Sequence, residues 1–116
     1  MKSKINGVWS HYNYDLATTI LREEWGYDGL ILTDWWMQPS ASPEFPKIKN
    51  SAYRVRAQVD VLMPGGASYV EQRYVFDKAM LATLDKKDGL TRAELQRCAM
   101  NVLRFALIRM KEKEDV

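Results

Sequence analysis

Asp34 and the run Pro64-Gly65-Gly66 are the first places in this sequence where residue type and position together suggest chemistry. Asp34 follows Leu30-Ile31-Leu32-Thr33, a short apolar run without polar alternation, which reads as a parallel strand buried on both faces. Pro64-Gly65-Gly66 closes a second brief run, Asp60-Val61-Leu62-Met63. Where strands alternate with helices, loops converge at the carboxyl ends of the strands and functional residues gather there. A carboxylate at such an end can do acid-base or nucleophilic work, but spacing alone favours a cap on the turn that follows its strand.

Other reactive types are sparse, and their settings point to structure. His11 is the single histidine and precedes the first helical segment, which predicts a solvated side chain rather than a base or metal ligand. Glu23, Glu24 and Asp28 could partner Asp34 in acid-base chemistry, but a helix C-terminal turn lies at the opposite end of the following strand. Arg22 and Glu24 are expected in structural ion pairs, and Tyr12 and Tyr14 in packing against a neighbouring helix. Cys98 is the only cysteine, so no intrachain disulfide forms. Leu95, Val102 and Phe105 share its helical face and predict a buried thiol rather than a nucleophile. Metal-ligand clusters, glycine-rich phosphate loops and nucleophile-elbow patterns are absent from the sequence, and no cofactor is expected.

Several elements must position these residues. Residues 13–25 carry Leu16, Ile20 and Leu21 at helical spacing, with Asn13 or Asp15 as cap and Gly26 as stop, which predicts a helix of about three turns. Asp28-Gly29 then turns the chain into the first strand. Pro39, Pro43 and Pro46 make residues 35–50 a long surface excursion. A short helix is expected over 51–59, and a longer one over 69–84 that stops at Lys86-Lys87-Asp88-Gly89. Thr91 and Glu94 have the spacing of a capping box, opening a last helix with Leu95, Ala99, Val102, Leu103 and Ala106 as its apolar stripe. Residues 111–115 read as a fraying, solvated end.

With 116 residues, 47% hydrophobic and 28% charged, the chain falls among ordinary soluble globular domains and has length for one. It is far shorter than the roughly 250 residues of a complete (β/α)₈ barrel. The net charge of +2 comes without a dense basic block, so a nucleic-acid partner is not implied. No apolar run approaches a membrane span and Met-Lys-Ser-Lys is not followed by a signal-peptide core, so the expectation is a soluble, cytoplasmic chain.

Four motifs then follow one another in order. They are Lys4-Ile5-Asn6-Gly7, Leu21-Arg22-Glu23-Glu24-Trp25-Gly26-Tyr27-Asp28-Gly29, Leu32-Thr33-Asp34-Trp35, and Ala57-Gln58-Val59-Asp60-Val61-Leu62-Met63-Pro64-Gly65. Together they resemble glycoside hydrolase family 3, the β-glucosidase and β-xylosidase family. Its corresponding segments read Lys-Ile-Asn-Gly, Leu-Arg-x-Glu-Trp-Gly-Phe-x-Gly, Ser-Asp-Trp and Ala-Gly-x-Asp-x-x-Met-Pro-Gly. Leu103-Arg104 sits in a helix like the family's final barrel helix.

The resemblance implies an α/β fold, a partial (β/α) barrel segment with about two parallel strands and four helices. Residues 1–116 would then form a single incomplete domain, the C-terminal part of the catalytic barrel. It implies Asp34 as catalytic nucleophile and Trp35 as the aromatic wall of the sugar site, whose indole face suits the apolar face of a pyranose. In a retaining enzyme the second carboxyl group stands only about 5 Å from the nucleophile. Thr33 replaces the family's Ser, Tyr27 its Phe, and Lys2 the Tyr expected before Lys4. Trp36-Met37 and the proline-rich loop replace the small residues common after the Asp-Trp pair. The Lys-His substrate motif, an earlier Asp and Arg, and the domain that supplies the acid/base Glu have no counterpart. The expectation is therefore a fragment of a retaining β-glycosidase, inactive alone, whose intact form takes a carbohydrate β-glycoside. Bare apolar strands predict self-association or pairing with missing barrel segments. The rival reading is a non-catalytic assembly piece that complements another chain.

Overall fold

The computed structural model describes residues 3–35, 52–63, 80–87 and 89–115. Asn6-Gly7 makes the first turn, with both residues at positive φ (51° and 79°), the backbone that a tight two-residue hairpin demands. It joins β1 (Lys4–Ile5) to β2 (Val8–Trp9), antiparallel, with Lys4 opposite Trp9 and Ile5 opposite Val8. A 3₁₀ turn at Ser10–Tyr12 follows. Asn13 then caps the next helix, its Oδ1 accepting from Leu16 N at 3.0 Å.

That helix, Asp15–Glu24, has the wider π geometry rather than the α geometry its spacing suggests. Trp25 N reaches back five residues to Ile20 O at 3.0 Å. Gly26 takes the left-handed conformation (φ 70°), and across it Tyr27 N bonds Leu21 O at 3.1 Å, so the terminal closure is wide as well.

The two apolar runs do meet side by side and parallel, but their pairing is one bridge, Leu32 with Val61. Asp60 N and Val61 N donate to Ile31 O at 2.8 and 3.2 Å, and Thr33 N donates to Val61 O at 3.0 Å. Burial on both faces does not hold. Leu32 is half exposed, and Leu30 and Ile31 are only partly buried. Among the described residues, neither run has a ladder on its other edge, so nothing covers Leu32.

Between these runs lies α1 (Ala52–Arg56), shorter than the expected 51–59 but nearly all buried. After it Gln58 adopts φ 60°, at the position where the family motif has glycine. The expected helix over 69–84 lies mostly outside the described residues. Its last part is helical at Met80 and Leu81 and then turns, with Leu84 partly buried. Asp85 (φ 57°) closes the following turn by donating its N–H to Leu90 O at 2.8 Å.

The capping box forms as expected. Glu94 N donates to Thr91 Oγ1 at 3.2 Å and Thr91 N donates to Glu94 Oε2 at 2.9 Å, opening α2 (Arg92–Glu114). The expected stripe is not the buried one. Cys98 and Asn101 are the buried residues of α2, whereas Ala99, Val102, Leu103 and Ala106 are exposed. Apolar residues run around most of this helix, so the face that the fold selects is set by what α1 offers, not by period.

Among the described residues three small clusters form the core: Ala52, Val55, Met80, Leu90 and Cys98 where α1 meets α2; Val8, Tyr12 and Tyr53 beside the hairpin; and Ala17, Ala57 and Val59 at the π-helix. Among the described residues no helix is long and apolar enough to cross a membrane.

Candidate functional site

The parallel bridge brings the carboxyl ends of both runs to one rim. Thr33 is buried, and its Oγ1 accepts from Met63 N at 2.8 Å, which fixes the end of one run against the end of the other. Asp34 is the next residue and is exposed. Its Oδ1 accepts from Trp35 N at 2.7 Å, so the carboxylate does serve the turn, while its exposure leaves it accessible to solvent. Trp35 is 48% exposed beside it, an indole on the rim rather than in a core. Pro64-Gly65-Gly66, Trp36, Met37 and the prolines of the long loop lie outside the described residues.

Glu23, Glu24 and Asp28 are exposed around the turn that precedes the first run, at the end opposite Asp34. Among the described residues, no group of three or more His, Cys, Asp or Glu is placed to hold a metal ion.

Beneath the rim lies a polar junction that the sequence reading left out. Asp60 has a fully buried carboxylate at the start of the second run. Its Oδ2 accepts from Arg22 Nη2 at 2.6 Å and from Ile31 N at 3.1 Å, and its Oδ1 accepts from Asn101 Nδ2 at 2.8 Å. Arg22 also donates to the carbonyls of Gly29 (3.0 Å) and Gln58 (3.1 Å). One carboxylate thus joins the π-helix, both runs and α2. The ion pair expected of Arg22 is this one, whereas Glu24 is exposed.

Gln58 extends the junction. Its Nε2 donates to Thr18 Oγ1 at 3.2 Å, its Oε1 accepts from Asn101 Nδ2 at 3.3 Å, and Thr18 Oγ1 donates to Ala57 O at 3.0 Å. An Asp inside an apolar run preceded by an Arg in a helix is a signal that could have found this pair, since a buried charge needs a partner.

His11 is a correction. It is 1% exposed, not solvated, and lies between Trp9 and Tyr12, with ring centroids 6.2 and 4.6 Å away. The 3₁₀ turn folds it inward against the hairpin. Tyr12 packs as expected, with the Arg54 guanidinium 4.9 Å from its ring centre, and burial lowers the Arg54 pKa against a smaller opposing pull from Tyr12. Tyr14 is 38% exposed.

Cys98 is buried as expected, although of its three expected neighbours only Leu95 packs on the cluster around it, Val102 and Phe105 being exposed. Its Sγ donates to Val55 O at 3.3 Å. Desolvation, with the Asp60 carboxylate adding to it, pushes the thiol up to about 12, which makes it a poor nucleophile. At the far end of α1, Arg56 Nε donates to Glu94 Oε1 at 2.7 Å. Burial pulls the Glu94 carboxyl upward, but its bonds to Arg56 and Thr91 outweigh that and hold it below the usual range.

No family model matches the chain. A β-glucosidase of Ruminococcus albus is 41% identical over 90% of this chain and 10% of its own length. A solved β-glucosidase from Paenibacillus barengoltzii superposes with a TM-score of 0.62 at 39% identity, over 86% of this chain and 11% of that one. β-Glucosidase 3B from Thermotoga neapolitana, in complex with glucose, superposes with a TM-score of 0.64 at 30% identity, over 88% and 13%. This chain spans about a tenth of the length of the curated relative. Over most of its length the chain is similar to these β-glucosidases, and it is a glycoside hydrolase family 3-like fragment.

Proposed function

We propose that this chain is the nucleophile-bearing part of a retaining β-glycosidase barrel, with Asp34 as nucleophile and Trp35 as a wall of the sugar site. The observation that carries the reading is the exposed Asp34 carboxylate immediately after the run whose end Thr33 ties to Met63. A nucleophile must be accessible and held, and a carboxylate one residue beyond an anchored strand end meets both needs. In the complete reaction an Asp34 oxygen attacks the anomeric carbon while a glutamic acid from another segment protonates the leaving oxygen. Water, activated by the same glutamate, then releases the sugar. The substrate class is a carbohydrate β-glycoside.

One carboxylate cannot both attack and protonate, so the chain alone is expected to be inactive. The test is a chimera in which these residues replace the matching segment of the Ruminococcus albus β-glucosidase. The chimera should hydrolyse an aryl β-glucoside, and Asp34→Asn in it should lower kcat by roughly 10³-fold or more. An active chimera insensitive to Asp34→Asn would refute the assignment. The rival reading, a non-catalytic piece that complements another chain, draws on the exposed apolar residues of α2 and predicts a chimera that folds without turning over.

A further inference from the structure

The outer side of α2 carries an exposed apolar stripe that no element among the described residues covers. Met100, Leu103, Leu107 and Met110 are 55%, 56%, 64% and 60% exposed. Their spacing of three, four and three residues is the 3.5-residue repeat of a helix-pairing seam. At about 100° per residue they fall roughly opposite Cys98, the residue by which α2 sits on its own core.

From this spacing we infer that α2 is a self-pairing helix: two copies of this chain associate through antiparallel α2 helices, related by a two-fold axis midway between Leu103 and Leu107. The inference does not rest on the role of Asp34.

The stripe is palindromic about that axis. Met100 of one copy meets Met110 of the other, and Leu103 meets Leu107, so one surface is its own complement, as an isologous interface requires. The next layer outward sets Gln96 against Glu114, an amide that can donate to a carboxylate. A parallel pair would instead set Glu114 against Glu114. The antiparallel arrangement also opposes the two helix dipoles favourably. Ala99 and Ala106 on one flank allow close approach of the backbones. Arg104 on the other flank faces its own copy, an exposed and screened repulsion that costs little.

The stripe is of interface size. More than half of each of the four side chains is exposed, so pairing buries on the order of 800 Å² from the stripe and, with the flanking alanines and arginine stems, reaches the ~1,000 Å² at which specific interfaces begin.

The experiment is sedimentation of the 116-residue chain from roughly 5 to 200 µM, which brackets a micromolar dissociation constant. A concentration-dependent dimer is expected, tighter at high salt because Arg104 faces Arg104. Leu103→Glu with Leu107→Glu should weaken it by about 100-fold or more while the helical circular dichroism stays the same, since both positions are exposed in one copy. Orientation is read by disulfide trapping: Leu103→Cys mixed with Leu107→Cys should cross-link, and neither should cross-link alone. The native Cys98 thiol is buried and does not compete. A monomer at every concentration, a dimer that survives the double glutamate change, or a Leu103→Cys chain that links to itself would overturn the inference.

Discussion

Two regions of this small fold reverse the usual placement of residue types. At the junction of the π-helix, the two runs and α2, an Asp, an Arg, an Asn and a Gln lie inside, bonded to one another and to backbone. Along the far half of α2, by contrast, Leu103, Leu107 and Met110 face solvent. Polar groups here join the same elements that share the small apolar clusters around Ala17 and Cys98. Apolar groups stay outside where no part of the described structure covers them. The junction belongs to the fold of this segment, and the exposed helix face is where the proposed pairing would act.

The largest expected effect comes from breaking the junction at its hub. Asp60→Ala removes the carboxylate that pairs with the buried Arg22 guanidinium and leaves Asn101 and the Ile31 amide short of an acceptor. Removing one partner of a buried ion pair costs about 3–5 kcal/mol, because the other charge stays buried without compensation. For a segment this small that is most of the stability, and thermal melts should lose their cooperative transition. Replacing the pair together, Arg22→Met with Asp60→Leu, should cost less than Asp60→Ala alone, and the opposite order would mean that the hub is incidental.

The buried thiol next to the junction offers a second, pH-dependent test. Folded Cys98 keeps its proton up to about 12, whereas the unfolded thiol loses it near 8.5. Below that lower value both states are protonated and the group has no effect. Above it the unfolded state binds fewer protons than the folded one, so unfolding free energy falls, at most by about 1.4 kcal/mol per pH unit. Urea titrations at pH values of roughly 8 and 10 should differ by about 2 kcal/mol more for the native chain than for Cys98→Ser, in which lysines and tyrosines titrate equally. Equal slopes would mean that water reaches the sulfur.

Gln58 sharpens the comparison further, because two effects oppose each other there. Gln58→Gly relieves a left-handed backbone worth about 1–2 kcal/mol. It also removes the bonds to Thr18 and Asn101, at about 1 kcal/mol each, and loosens the unfolded chain by about 0.4–1 kcal/mol. The net expectation is a loss of about 1 kcal/mol in chemical denaturation. A gain in stability would show that the side-chain bonds matter less than the backbone.

Local signals were legible where the physics is local. The Thr91 and Glu94 capping box needs only neighbouring residues and forms as spaced. The parallel meeting of the two runs followed from their apolar character and from the helical segment between them. The Asn6-Gly7 hairpin is equally local, since an Asn-Gly pair supplies both positive-φ residues of its turn. Tertiary choices were not legible in this way. His11 is buried because the 3₁₀ turn presents it to Trp9 and Tyr12, which no feature of a lone histidine announces. On α2 apolar residues stand all around, so period could not say whether Leu103 or Cys98 faces inward. Asp34 was legible as a strand-end carboxylate, whereas Asp60 was not, since its value lies in partners from three separate stretches of chain, at Arg22, Ile31 and Asn101.

The smallest expected effect belongs to the bare half of the comparison. Leu107→Gln changes a side chain that is 64% exposed and removes little that one copy uses. At low micromolar concentration its unfolding free energy should stay within about 0.5 kcal/mol of the native chain, as for an ordinary surface change. Leu90→Ala, at a fully buried position just before the same helix, should cost about 2–5 kcal/mol under the same conditions. Concentration separates surface from interface. A contact made only between folded copies stabilises by mass action, so the native chain should melt progressively higher as concentration rises, and Leu107→Gln should not follow it. Parallel curves for the two chains would place Leu107 outside any contact. A large loss for Leu107→Gln at the lowest concentration would mean that the far half of α2 folds back on its own core.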